Sequence, residues 1–106
     1  MDDTPPRNAV QEAADDRLAL YDALLCLKTR EELDAFLADL CTPSELRAFA
    51  ERWAVARLLD GQLHSYREIA AEARASPTTV VRVARFLREM PHQGYRLVLD
   101  RLKQKA

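Results

Sequence analysis

Residues 65–88 read SYREIAAEARASPTTVVRVARFLR, and the rest of the chain is easiest to place from them. Ser65-Tyr66-Arg67-Glu68 is a capping box: a serine that accepts from an orphan amide, with a glutamate three positions on that reaches back. The helix it opens is short and ends near Ala73. A turn of about three residues leads to Ser76-Pro77-Thr78-Thr79, a second helix start, with proline at the position that needs no N–H donor. The second helix is predicted to run to about Arg88. Helix, tight turn and helix at this spacing is a helix-turn-helix. Val80, Val83, Ala84 and Leu87 form one apolar stripe that can pack on Ile69, Ala70 and Ala73, and the small Ala70 lets the two axes approach closely. The opposite face holds Thr78, Val81, Arg82, Arg85 and Arg88, without an acid. Guanidinium groups can donate in pairs to a guanine edge or neutralise phosphates. The same pattern would also serve three helices packed together with their arginines solvated.

Moving outward, the segments on both sides read as helices. Thr42-Pro43-Ser44-Glu45 opens a long helix through Leu46, Phe49, Trp53, Ala56 and Leu59, apolar over a wide arc. It is expected to stop at Asp60-Gly61, with Gly61 left-handed. Thr29-Arg30-Glu31-Glu32 opens a second helix carrying Leu33, Phe36, Leu37 and Leu40. A first helix starts around Asp16. Pro91 fits the first turn of a sixth, with Tyr95, Val98, Leu99 and Leu102. No period-two alternation is sustained, so the expectation is six helices and no sheet. Residues 1–13, with Pro5-Pro6 and no apolar periodicity, are expected to be a disordered N-terminal arm.

The chain has 106 residues, 48% of them hydrophobic and 31% charged, which suits one small globular domain. Two glycines, against roughly seven at average usage, argue against a turn-rich β-sandwich and a Gly-rich phosphate loop. The acidic start Met1-Asp2-Asp3 is unlike a secretory signal, and no apolar run reaches the length of a membrane span. A cytoplasmic location follows as the expectation. Charge is unevenly spread: residues 1–42 carry 4 Lys+Arg and 10 Asp+Glu, residues 43–106 carry 12 and 7. The C-terminal part is therefore suited to a polyanion, and the N-terminal part repels one.

Residues from about 18 to 102 resemble the tryptophan-repressor-like proteins, most closely their bacterial YerC/YecD branch. The likeness rests on Leu40-Cys41-Thr42, Glu51-Arg52, Ser65-Tyr66-Arg67-Glu68-Ile69 and Ala75-Ser76-Pro77-Thr78-Thr79-Val80-Val81-Arg82-Val83. It implies an all-α, six-helix fold in an intertwined homodimer, with residues 14–106 as a single domain for dimerisation and DNA binding. It also implies a sequence-specific transcriptional regulator, a repressor in type, with double-stranded DNA as partner. Arg67, Arg74, Thr78, Thr79, Arg82, Arg85 and Arg88 are the candidate DNA-binding residues. Arg82 and Arg85, with the threonines, would meet bases or nearby phosphates, and Arg67, Arg74 and Arg88 mainly phosphates. Arg74 stands at a turn position where glycine is usual, which predicts a positive φ costing about 1 kcal/mol.

In the tryptophan repressor the amino acid sits between the long helix and the recognition helix. Thr42, Arg52, Thr79 and Arg82 match ligand-contacting residue types there, so Thr42, Arg52 and Arg82 form a candidate ligand pocket. Val83 replaces the glycine that leaves room for an indole, and Phe86 replaces a serine that contacts the ligand amine. Both are expected to fill the slot, so tryptophan is not the expected effector, and a different small molecule is left open. Cys26 and Cys41 are expected to be small buried hydrophobes. His64 and His92 have no Cys or His partner at zinc spacing, so neither metal nor cofactor is expected. No nucleophile has a base beside it, which argues against an enzyme. A second reading of the same residues is a helical protein-interaction module without DNA readout. Salt discriminates the two, because only DNA binding weakens steeply as salt rises.

Overall fold

Short-range capping hydrogen bonds set most of the helix starts. A computed structural model describes residues 5–61 and 64–105 and contains α1 (Ala9–Leu25), α2 (Arg30–Leu40), α3 (Pro43–Gly61), α4 (Tyr66–Ala73), α5 (Pro77–Arg88) and α6 (Gly94–Gln104), with no strand among those residues. The Glu45 amide donates to Thr42 Oγ1 at 3.1 Å while the Thr42 amide donates to the Glu45 carboxylate at 2.9 Å. Ser65 and Glu68 make the same reciprocal pair at 3.2 and 3.1 Å. These bonds hold both carboxyls below the ordinary glutamate range, the backbone donors contributing most. At α2 the Glu32 amide donates to Thr29 Oγ1, and the Glu32 carboxylate reaches one residue further back, to the Lys28 amide at 2.8 Å. No helix among the described residues is long and apolar enough to cross a membrane.

The helix ends differ from the sequence reading in three places. First, α1 begins at Ala9, inside the stretch expected as a disordered arm. Asn8 Oδ1 accepts from the Gln11 amide at 2.9 Å and Gln11 Oε1 accepts from the Asn8 amide at 3.0 Å. This amide-based capping box starts a polar first turn that apolar periodicity cannot reveal. Residues 1–4 lie outside the described part. Second, α3 ends at Gly61 as expected, but Gly61 is not left-handed, and no described glycine has a positive φ. Third, α6 starts at Gly94, and Pro91 lies in the turn before it. Gln93, left-handed at φ 56°, redirects the chain, and its side-chain amide donates to the Met90 carbonyl at 2.7 Å.

The helices form two compact units, the first ending at Cys41 and the second starting at Thr42, where the sequence reading drew one domain over 14–106. In the first unit neither α1 nor α2 has a buried residue. Leu18 is 59% and Leu25 81% exposed. Cys26 is exposed and Cys41 half-buried, rather than buried as expected, because each ends a helix in a unit without an interior.

The second unit holds the core. Val55, Ala56 and Leu59 of α3 meet Ile69 of α4, Leu99 of α6 and the whole α5 stripe of Val80, Val83, Ala84 and Leu87. Trp53 and Tyr95 are half-buried and stack with ring centroids 6.4 Å apart. A charged clamp ties the end of α3 to α6: Arg96 donates to Asp60 at 2.7 Å and Lys103 at 2.8 Å. An acid in the last turn of a helix opposes its dipole. The two cations offset that and hold the Asp60 carboxyl below its usual range, Arg96 more than Lys103.

Candidate nucleic-acid interface

The α4–α5 turn is the three residues Arg74, Ala75 and Ser76. Arg74 adopts φ 57° and ψ 37°, the left-handed conformation expected of it. That geometry lets the Arg74 amide donate to the Ala71 carbonyl and the Ala75 amide to the Ala70 carbonyl, which closes α4. The chain then leads directly into Ser76, whose Oγ accepts from the Thr79 amide at 3.1 Å and caps α5.

This cap differs from those of α2, α3 and α4 in one respect. Those three place a glutamate in the first turn; α5 has no acid there. Thr79 occupies the position, its hydroxyl 3.0 Å from that of Ser76. The partial positive charge at the start of α5 is thus left available to an anion. Thr78 is exposed beside it and Thr79 half-buried.

Arg67, Arg74, Arg82, Arg85 and Arg88 are all exposed, and among the described residues none of them forms an ion pair. They do not make a uniform row. Arg88 Nη1 donates to the Tyr66 hydroxyl at 2.9 Å, linking the end of α5 to the start of α4. A hollow of about 300 Å³ lies there, lined by Tyr66, Val81, Ala84, Arg85, Arg88 and Glu89. Arg82 leans the other way, its guanidinium 4.4 Å from the centre of the Phe86 ring. Phe86 in turn stacks on His92, with centroids 6.2 Å apart. Neither link was legible in the sequence: Tyr66 and Arg88 are twenty-two positions apart, and His92 follows a turn of unpredicted shape.

A larger cavity of about 470 Å³ opens on that second side. Arg52 and Arg82 both line it, together with Trp53, Phe86, Tyr95 and Val98 among others. Thr42 does not line it; its hydroxyl is engaged in capping α3. Val83 is fully buried in the core, while Phe86 forms a wall of the cavity. Among the described residues no group of three or more His, Cys, Asp or Glu side chains is placed to hold a metal ion.

Comparison with known proteins bears on the same residues. The family model for the Trp repressor protein matches residues 16–103, which takes in the helix-turn-helix and nearly all of the six helices. The chain belongs to the Trp repressor family. Within the family it is similar to the Bacillus subtilis protein YerC, of uncharacterised function, at 39% identity over 85 residues, or 80% of each chain. A solved TrpR-like protein from Eubacterium eligens superposes with a TM-score of 0.76 at 35% identity, over 80% of this chain and 86% of that one. A Staphylococcus aureus protein proposed as a Trp repressor gives the same TM-score and identity over 92% and 96%. The six-helix Trp repressor fold and the YerC branch are thereby assigned. Membership in the Trp repressor family places the chain among helix-turn-helix regulators rather than enzymes.

Proposed function

We propose that this protein is a sequence-specific DNA-binding transcriptional regulator, a repressor acting as a cytoplasmic homodimer. One observation carries the reading. The second helix of the helix-turn-helix turns to solvent an acid-free N-terminus and exposed arginines that have no acidic partner among the described residues, while its other side is sealed in the core. A phosphate backbone supplies the missing counter-charge, and base edges supply acceptors for Arg82 and Arg85. The candidate phosphate contacts are Arg67, Arg74 and Arg88, with Thr78 and Thr79 at the helix start. The homodimer is supported by the first unit, where α1 and α2 have no fully buried residue and Leu18 and Leu25 are exposed. Helices that lack a buried face are marginal in water, and a second copy offers an apolar surface of the same kind. A two-fold pair of readers requires a palindromic operator with half-sites about one helical turn apart.

The cavity beside Arg52 and Arg82 is proposed for an effector other than tryptophan. Phe86 covers one face of the Arg82 guanidinium and forms a wall of the cavity, which takes up space an indole would need.

The test is binding to duplexes selected from a random pool, followed across salt concentration. The expected result is affinity that falls steeply with salt and is lost in the combined Arg82→Ala, Arg85→Ala, Arg88→Ala protein. Affinity that survives the triple substitution refutes the assignment of this face. Absence of salt-dependent duplex binding instead favours a protein-interaction module.

A further inference from the structure

We infer that the hollow between α4 and α5 is a reader of the thymine 5-methyl group, with Val81 as the residue that determines specificity there. This rests on the DNA-binding reading above. Val81 is 58% exposed, on a helix face otherwise given to arginines. A solvated valine contributes nothing to a core and is a poorer helix former than lysine or alanine. Phosphate recognition gives it no role, since its side chain has neither charge nor donor.

The surroundings say what would. Val81, Ala84, Arg85 and Arg88 stand at positions i, i+3, i+4 and i+7, so they share one face of α5. Ala84 is almost fully buried, and its small side chain leaves depth beneath the valine. The 43%-exposed Tyr66 ring forms the facing wall, tethered through its hydroxyl to Arg88. Tyr66, Val81 and Ala84 therefore give the hollow an apolar lining, which Arg85 and Arg88 share. Glu89 also lines the hollow, and a carboxylate repels a phosphate. The occupant is therefore a neutral, apolar group carried on a polyanion. Among the base-pair edges in the major groove, only thymine displays one, its 5-methyl. The location agrees: Val81 is the fifth residue of α5, in the N-terminal part of a recognition helix, from which base edges are reached.

The experiment uses the full chain and duplexes selected from a random pool. Each thymine of the selected site is replaced singly by deoxyuridine, which removes the methyl and leaves Watson–Crick pairing intact. One thymine in each half-site should then show a loss of roughly fourfold, the equivalent of one buried methyl group. In Val81→Ala that same position should become insensitive to the methyl, with the salt slope unchanged. Alanine at an exposed helical position does not threaten the fold, and circular dichroism would confirm it. Salt-dependent binding without methyl dependence at any thymine overturns this inference alone. So does a methyl dependence that persists undiminished in Val81→Ala. Failure to bind any duplex overturns the proposed function and this inference together.

Discussion

Arg74→Gly is expected to make the protein more stable and a weaker DNA binder at once. Arg74 sits at φ 57°, ψ 37°. The left-handed region costs an L-residue about 1–2 kcal/mol, because Cβ crowds the following carbonyl. Glycine removes that strain, but it gives the unfolded chain more freedom, which takes back about 0.4–1 kcal/mol. The net expected gain is about 0.5–1 kcal/mol, or a rise of about 3–6 °C in the melting midpoint of a domain this size. No ion pair is sacrificed in the free protein, since Arg74 forms none among the described residues. On DNA the lost phosphate contact should reduce the slope of log affinity against log salt by about 0.9 per half-site. Arg74→Ala separates the two effects: it removes the charge but keeps Cβ and the strain, so the slope should fall without a gain in stability. Melting must be compared at one protomer concentration, because association shifts the midpoint. If Arg74→Gly melts no higher than Arg74→Ala, the strain argument is wrong. If neither changes the salt slope, Arg74 is not at a phosphate.

Three further outcomes are expected. Asp60→Asn should destabilise the second unit by about 1–2 kcal/mol, since it weakens two charge-assisted hydrogen bonds at a side chain only 12% exposed. Because Arg96 and Lys103 lower the Asp60 pKa below its ordinary 3.8, its contribution is complete above that value and is lost as pH falls through the folded-state pKa. The wild-type protein should therefore lose stability more steeply than Asp60→Asn in denaturant titrations below about pH 4, and parallel curves would count against the clamp. If the proposed homodimer forms, Leu18→Asp with Leu25→Asp should shift it to monomer in sedimentation by placing carboxylates on the exposed faces of α1; an unchanged dimer would mean these residues are not in the interface, and a monomeric wild-type protein would refute the dimer itself. Tryptophan titrated calorimetrically should give no saturable heat, and micromolar binding would show that Phe86 leaves room for the indole after all.

What could be read directly from the chain was whatever neighbouring residues settle among themselves. Thr29, Thr42, Ser65 and Ser76 marked four helix starts because a cap is a hydrogen bond to an amide three positions away. The buried stripe of α5 followed from helical periodicity alone. The start of α1 was missed because Asn8 and Gln11 make a capping box from amides on a polar turn. The candidate arginines were legible as residues on an outer face. Phe86 stands four residues from Arg82 on the same helix, but the bond from Arg88 to Tyr66 across two helices was not legible.

The Arg88–Tyr66 link, the Val81 hollow, and the clamp joining Asp60 to Arg96 thirty-six residues away all depend on how α3, α4, α5 and α6 cross. A crossing angle is settled by the volumes of many side chains from distant segments filling one interior, and no local pattern carries that sum. The sequence by itself determined that there would be six helices and which face of α5 would be cationic. Tertiary packing alone decided which groups stand around each cation, and so where a phosphate, a base edge or a methyl group would find its complement.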